Sequence, residues 1–275
     1  MRSPARPLGG LVAATTVAAL GRCRRSLSRS GAVAAVPVGT AIVAAGGWWW
    51  GALIVAFFGS SSWLSRQHPH PAGQTTQPRR GSERDVVQVL ANGAIAALIA
   101  ASSPYRSPPA RRYRYPAYAG ALAAATADTW ATEIGAGSRS APRLITTGRV
   151  VPPGTSGGVT RRGTAGAFAG ASFLGMLAAV VPVEGPHERR ARIIGATALA
   201  GVAGAMTDSL LGATLQAAYQ CPVCGATVEH PRHCDTGAVL VRGVPAVTND
   251  LVNLAATGTG AVAATGISWA VDRYC

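Results

Sequence analysis

Apolar residues run along this chain in long blocks separated by short basic or Gly- and Pro-rich stretches, without the alternation of strands. About 20 consecutive apolar residues cross a bilayer as a helix, so blocks of this length predict membrane segments. Residues 1–20 carry Arg2 and Arg6 and then LGGLVAATTVAAL, a pattern shared by cleavable leaders and short membrane helices. Arg22, not a small residue, precedes Cys23, which argues against a lipoprotein cleavage site and for a retained helix followed by a basic loop. Residues 31–63 are too long for one span and are interrupted at Gly46 and Gly47, which predicts two short helices or one broken one. Trp48, Trp49 and Trp50 suit an interfacial aromatic belt. Further spans are expected over 85–103, 164–181, 193–219 and 249–271, with another entering the stretch 124–164. The total is about six to eight transmembrane helices in an all-α, polytopic integral membrane bundle. Residues 1–30 would form an N-terminal helix and basic loop, and 31–275 a single membrane-embedded catalytic domain.

Composition supports the membrane reading. Hydrophobic residues make up 48% and charged residues only 13%, against about 25% charged in soluble domains. The net charge of +14 raises the question of nucleic acid, but every basic residue is Arg and no nucleic-acid module is visible. The Arg residues lie mostly between apolar blocks, where lipid headgroups or phosphates can meet them. The expected partner is therefore the bilayer, not nucleic acid. Arg occurs in nearly every loop, so the positive-inside rule sets no orientation. The localisation is a multi-pass membrane protein, in the plasma membrane if the source is prokaryotic, and the pattern defines no oligomeric state.

Polar groups at membrane depth are costly and mark protein interiors, cavities or sites. Asp85, Gln88 and Asn92 share one helix face, which would serve either a wet cavity or helix–helix hydrogen bonding. Gly201, Gly204, Asp208, Gly212 and Gln216 form a stripe by three- and four-residue steps, placing Asp208 at a tight helix crossing. Asn249 and Asn253 share a face beside Asp250. Asp128 and Glu133 are separated by roughly 140 degrees around a regular helix and cannot chelate one ion alone. The loop after them offers Arg143, Thr146, Thr155, Ser156, Gly157 and Gly158. Glycine lets backbone N–H groups approach phosphate oxygens, hydroxyls add donors, and Arg supplies a fork. No Walker pattern is present.

These residues assemble into one expectation. Asp128, Asp208 and Asp250 hold Mg²⁺; Asp128, Glu133 and Asp208 are the catalytic candidates. Arg143, Thr146, Thr155, Ser156, Gly157, Gly158, Asn92, Gln216, Asn249 and Asn253 are candidates for binding phosphate and substrate. Separately, CPVCGATVEHPRHC within 220–243 has the ligand types of a zinc knuckle. Cys221, Cys224, His233 and Cys234 would hold a structural Zn²⁺, the alternative being reduced thiols beside a coincidental His pair. His68 and His70 sit in a polar loop without an acidic partner and are a weak metal pair.

From about residue 25 to 271 the chain resembles the integral membrane family that includes transmembrane protein 19 and the phytyl-phosphate kinases of tocopherol biosynthesis. The stretches that carry the resemblance are FFGSSSWLSR, RDVVQVLANG, ADTWATEIG, PRLITTGRVVPPGTSGGVT, TDSLLGATLQAAY and NDLVNL. The resemblance implies a membrane kinase that converts an isoprenoid monophosphate, such as phytyl phosphate, to the diphosphate with a nucleoside triphosphate, CTP by analogy with other polyprenol kinases. The Cys and His insert is similar to that of prokaryotic members, and no plastid transit pattern is expected ahead of the shared region. The main rival is a transporter, since intramembrane carboxylates and broken helices also make substrate paths. A prenyltransferase would want clustered Asp pairs, and a structural scaffold would leave the buried polar residues without a purpose.

Overall fold

The computed structural model describes residues 5–67, 83–102, 108–180 and 187–274; the His68 and His70 pair lies outside them. Among the described residues there are eight helices: α1 (Ala5–Cys23), α2 (Arg29–Gly46), α3 (Trp48–Gln67), α4 (Val86–Ala101), α5 (Pro108–Ala136), α6 (Arg161–Val180), α7 (His187–Thr214) and α8 (Asn249–Tyr274). A hairpin of β1 (Arg143–Leu144) and β2 (Gly158–Val159) lies between α5 and α6. Between α7 and α8, β3 (Ala218–Gln220) is flanked antiparallel by β4 (Thr227–Val228) and β7 (Val239–Arg242). Beside them β5 (Arg232–His233) pairs with β6 (Thr236–Gly237).

Among the described residues, α2, α6, α7 and α8 are long and apolar enough to cross a membrane, and α4 is a shorter apolar helix. The break expected at Gly46 and Gly47 is a reversal: Gly47 takes a positive φ of 93° and its N–H closes the last turn of α2 on the Val43 carbonyl. The segment expected as one helix over 193–219 stops at Thr214 instead. Its last residues leave the helix because Gln216 bridges Val244 and Ala218 enters the β3–β7 pair, so their backbone groups are satisfied by the sheet.

The centre of the bundle is α5, although it is not among the helices apolar enough to cross by composition. From Tyr118 to Ala127 every residue is buried, Gly120 included, and the others are at most 2% exposed, so neighbouring helices and not lipid are its solvent. Its side chains there are mostly Ala, and the surrounding helices present Gly to it. A Cβ on Gly120 would run into the Gly260 carbonyl and Ala264 of α8. One on Gly204 would strike Ala124 and lie 2.8 Å from the Ala256 carbonyl, and one on Gly201 would lie 2.9 Å from Ala123 Cβ. On α6, Gly163, Gly166 and Gly170 face the Ala131, Trp130 and Thr126 carbonyls of α5. Lipid gives helices no hydrophobic drive to associate, so this close van der Waals contact is what holds the bundle.

The contacts also set direction. Trp50 stacks on Tyr118 at 4.4 Å and Ser65 bonds Glu133, so α3 runs parallel to α5. Tyr115 donates to the Ala178 carbonyl while Gly163 meets Ala131, so α6 runs antiparallel to it. Arg112 pairs with Asp272 and Gly120 meets Gly260, so α8 is antiparallel as well. Following the alternation, the connections at 24–28, 83–85, 137–160 and 215–248 all emerge at one end of the bundle. Trp48 and Trp49 are half exposed, as a belt position requires, whereas Trp50 turns inward onto Tyr118 and Tyr115.

Gly260→Leu should lower the thermal stability of the detergent-solubilised protein by the cost of overpacking, about 1–3 kcal/mol or more. Gly258→Leu and Gly266→Leu, on the same helix with nothing within 4 Å of an added Cβ, should leave the unfolding midpoint nearly unchanged in the same melt.

Candidate functional site

Two polar clusters occupy the end of the bundle where the long connections emerge. The first joins α5 to α7. Gly201 and Gly204 lock α7 against Ala123 and Ala124, and one helical turn further the Asp128 and Asp208 carboxyl groups meet in a hydrogen bond. Two carboxylates in contact away from water need a shared proton or a cation between them. Asp208 Oδ2 is buried and has no hydrogen-bond partner, so the pair has a free ligand position suited to a hard divalent cation such as Mg²⁺.

The turn 155–158 packs on Gly212 and Ala213 of α7, about one helical turn beyond Asp208. Gly157 has φ 82° and a Cβ there would lie 2.5 Å from Ala213, so only glycine fits. Ser156 Oγ donates to Glu229 Oε1 at 3.1 Å and accepts from Gln216 Nε2 at 3.2 Å, and Gln216 also donates to Glu229 at 2.6 Å. Arg242 donates to the Ser156 carbonyl. The Glu229 charge reaches both Asp208 and Arg242, and for Arg242 it opposes the lowering of the guanidinium pKa by burial. Of the residues expected from sequence, Asp128, Asp208, Ser156, Gly157 and Gln216 thus come together.

Others do not join them. Arg143 is exposed and donates to the Gly148 carbonyl within its own loop, making no ion pair with either aspartate. Thr146 is exposed, Gly158 pairs in the hairpin, and Thr155 Oγ1 donates to the Pro152 carbonyl. Asn249, Asp250 and Asn253 form the first turns of α8 at the same end, with Asp250 buried and engaged by neighbours. The three aspartates do not draw into one three-ligand group; among the described residues only a Cys and His group does so. Asp85 caps α4 in a reciprocal box with Gln88, and Asn92 donates to the Gln88 carbonyl.

The second cluster gathers around Arg84 and Glu133. Glu133 is buried and accepts from Ser65 at 2.6 Å. Arg84 donates to Ser62 at 2.7 Å, lies 5.7 Å from the centre of the Phe58 ring, and exchanges backbone hydrogen bonds with Ser26 and Ser28. Burial lowers the Arg84 pKa, and the Glu133 charge works against that. Arg66 donates to Ser26 at 2.6 Å, and Ser61 Oγ is buried without a partner. Glu133 lies five residues beyond Asp128 on α5, about 7.5 Å along the axis, so the clusters are neighbours. A cavity of about 330 Å³ between α1, α2, α3 and α4 ends at this cluster, with Arg84, Gln88 and Asn92 at its polar end and only apolar side chains elsewhere.

The zinc-type ligands converge as well. The ligand atoms of Cys221, Cys224, His233 and Cys234 all lie within 4.8 Å of one another. The backbone N–H of Cys224, with smaller help from His233 and Val223, pulls the Cys221 thiol down to about 6, while the Cys234 thiol, hydrogen-bonded to Cys224, is pushed up to about 11. Sequence reasoning missed Glu229 and Arg242, because the loop that carries them reads only as a metal knuckle. Arg66 and Arg84 stood within the family-like stretches FFGSSSWLSR and RDVVQVLANG, but their meeting across 17 intervening positions had no local signal.

Comparison with known proteins agrees with the fold. The chain is 28% identical over 225 residues to Protein PGR of Arabidopsis thaliana, covering 76% of this chain and 78% of that protein. It is 34% identical over 133 residues to an uncharacterized membrane protein of Methanocaldococcus jannaschii, covering 48% of this chain and about half, 52%, of the archaeal protein. No solved structure matches. The family model described as Integral membrane protein DUF92 matches residues 12–261, and with this helical bundle around a buried α5 the chain belongs to that integral membrane family.

Proposed function

We propose that the protein is a Mg²⁺-dependent membrane phosphotransferase that adds a phosphoryl group from a nucleoside triphosphate, CTP by analogy, to an isoprenoid monophosphate such as phytyl phosphate. The observation that carries this reading is the meeting of Asp128 and Asp208 beside the Ser156–Gly157 turn. Phosphoryl transfer asks for alignment and charge neutralisation more than covalent help. Mg²⁺ held by the two aspartates would supply neutralisation of the phosphate charge. Gln216 and Arg242 hold Ser156 while Gly157 packs on Ala213 of α7, which keeps the turn about one helical turn beyond Asp208.

The Arg84 cluster supports an acceptor with a chain and an anionic head. Arg84, Arg66 and the hydroxyls of Ser62 and Ser65 are suited to a monophosphate, and the apolar cavity that ends at Arg84 is suited to its hydrocarbon tail. Trp48 and Val55 on the cavity wall are about half exposed, so the tail has a way in from the bilayer. An acceptor phosphate oxygen attacks the terminal phosphorus of the donor, the bond to the nucleoside diphosphate breaks, and a diphosphate forms. Glu133 holds Ser65 and balances Arg84, a positioning role and not one of proton abstraction.

Purified protein in detergent, given Mg²⁺, a nucleoside triphosphate and isoprenyl monophosphates of several lengths, should form the diphosphate. Asp128→Asn and Asp208→Asn should each reduce turnover on the order of 100-fold or more. Folded protein that makes no product with any donor or chain length, yet moves substrate across liposomes without consuming nucleotide, would replace this reading with a transporter.

Ala35→Phe and Val89→Phe, which fill the cavity without changing charge, should raise KM for long-chain acceptors about 10-fold. The kinetics of the shortest acceptor should be little changed, which steady-state assays over a chain-length series will measure.

A further inference from the structure

The module between α7 and α8 is too small to hold itself. Its buried apolar cluster is Ala217, Tyr219 and Val228, packed against Ala226 and Ala238. Modules with so little core need a disulfide or metal staple. The described cysteines are free. Cys221, Cys224, His233 and Cys234 instead arrange four ligand atoms around one point. His233 Nδ1 lies 3.4 Å from Cys224 Sγ and 3.3 Å from Cys234 Sγ. Tetrahedral Zn²⁺ with its usual bond lengths would set such nitrogen and sulfur atoms about 3.6 Å apart.

The backbone is shaped for the same purpose. The Cys221 N–H donates to the Ala226 carbonyl and the Gly225 N–H to the Cys221 carbonyl, with Gly225 at φ 70°. That turn directs N–H groups of Val223 and Cys224 at Cys221 Sγ. Cys234 and Asp235 adopt positive φ, 49° and 55°, a strained pair of non-glycine residues at the opposite knuckle.

Between the two halves, five residues after Cys224 and four before His233, stands Glu229. Its carboxylate reaches out of the module to Ser156 and Gln216, beside Asp208. We propose that Cys221, Cys224, His233 and Cys234 bind one structural Zn²⁺, and that this ion staples the 221–234 loop so that Glu229 is a positioning residue, holding the Ser156–Gly157 turn against the Asp128–Asp208 pair. The metal half stands apart from the phosphotransferase reading; only the consequence for catalysis rests on it.

Full-length protein purified in detergent without chelators should contain about one zinc per chain by mass spectrometry. Replacement by Co²⁺ should give a thiolate-to-metal charge-transfer band, absent from a Cys224→Ser, His233→Ala double variant. Trypsin should cut after Arg232 only once the metal is removed, and re-adding Zn²⁺ should restore protection. Protein without zinc that takes up neither ion, or that holds a disulfide among these cysteines, overturns the metal site. Zinc that leaves with no change in cutting at Arg232 overturns the staple. Glu229→Gln should keep its zinc and its fold while raising the KM for the phosphate donor more than it lowers kcat. Unchanged donor kinetics in an active enzyme would overturn the positioning role, whereas absent activity with zinc bound would count against the phosphotransferase reading alone.

Discussion

Contact between backbones around α5 is the constraint on which the rest of this molecule depends. A helix of mostly Ala, buried from Tyr118 to Ala127, offers few side-chain contacts, so its neighbours must come close enough for main chain to touch main chain. Gly120 against Gly260, and Gly201 and Gly204 against Ala123 and Ala124, provide that approach. The same contacts act as a register. With α7 locked at 201 and 204, Asp208 has no choice but to arrive at Asp128, and Gly212 follows at the Gly157 turn.

Polarity is divided between the length of the bundle and one of its ends. Alternating helices bring the hairpin loop, the Arg84 segment, the β module and the start of α8 to the same side. A buried carboxylate or guanidinium is tolerable there only because each has partners: Glu133 has Ser65, Arg84 has Ser62, and Asp128 has Asp208. The apolar cavity running to Arg84 joins the lipid-facing part of the protein to this polar end. The proposed acceptor, with a chain and an anionic head, would use both environments at once.

The small β module adds what helices alone would lack. Helix α7 ends at Thr214, and the chain then builds a surface whose outward reach, through Glu229 and Arg242, secures the glycine turn. Its Cys and His cluster sits among short strands with little apolar burial. Stability of the turn and stability of the module are therefore linked through these two side chains.

Much of this was legible from residue order alone. Apolar blocks of membrane length determined an all-helical bundle, the Gly46–Gly47 interruption marked a break without choosing between two short helices and one broken one, and three- and four-residue spacing placed Asp208 on a small-residue stripe, because helix periodicity and bilayer thickness act locally. The Cys and His spacing likewise singled out the four side chains that converge, Cys221, Cys224, His233 and Cys234. Only tertiary structure decided that α5, of modest hydropathy, is the buried centre, since burial depends on what surrounds a helix. It also decided that Arg143, the expected phosphate ligand, turns back onto Gly148 while Arg84, Arg242 and Glu229 face the polar end. Those residues meet across dozens of positions, and a side chain's direction at the end of a loop is set by the partners that the fold brings to it, which no local pattern records.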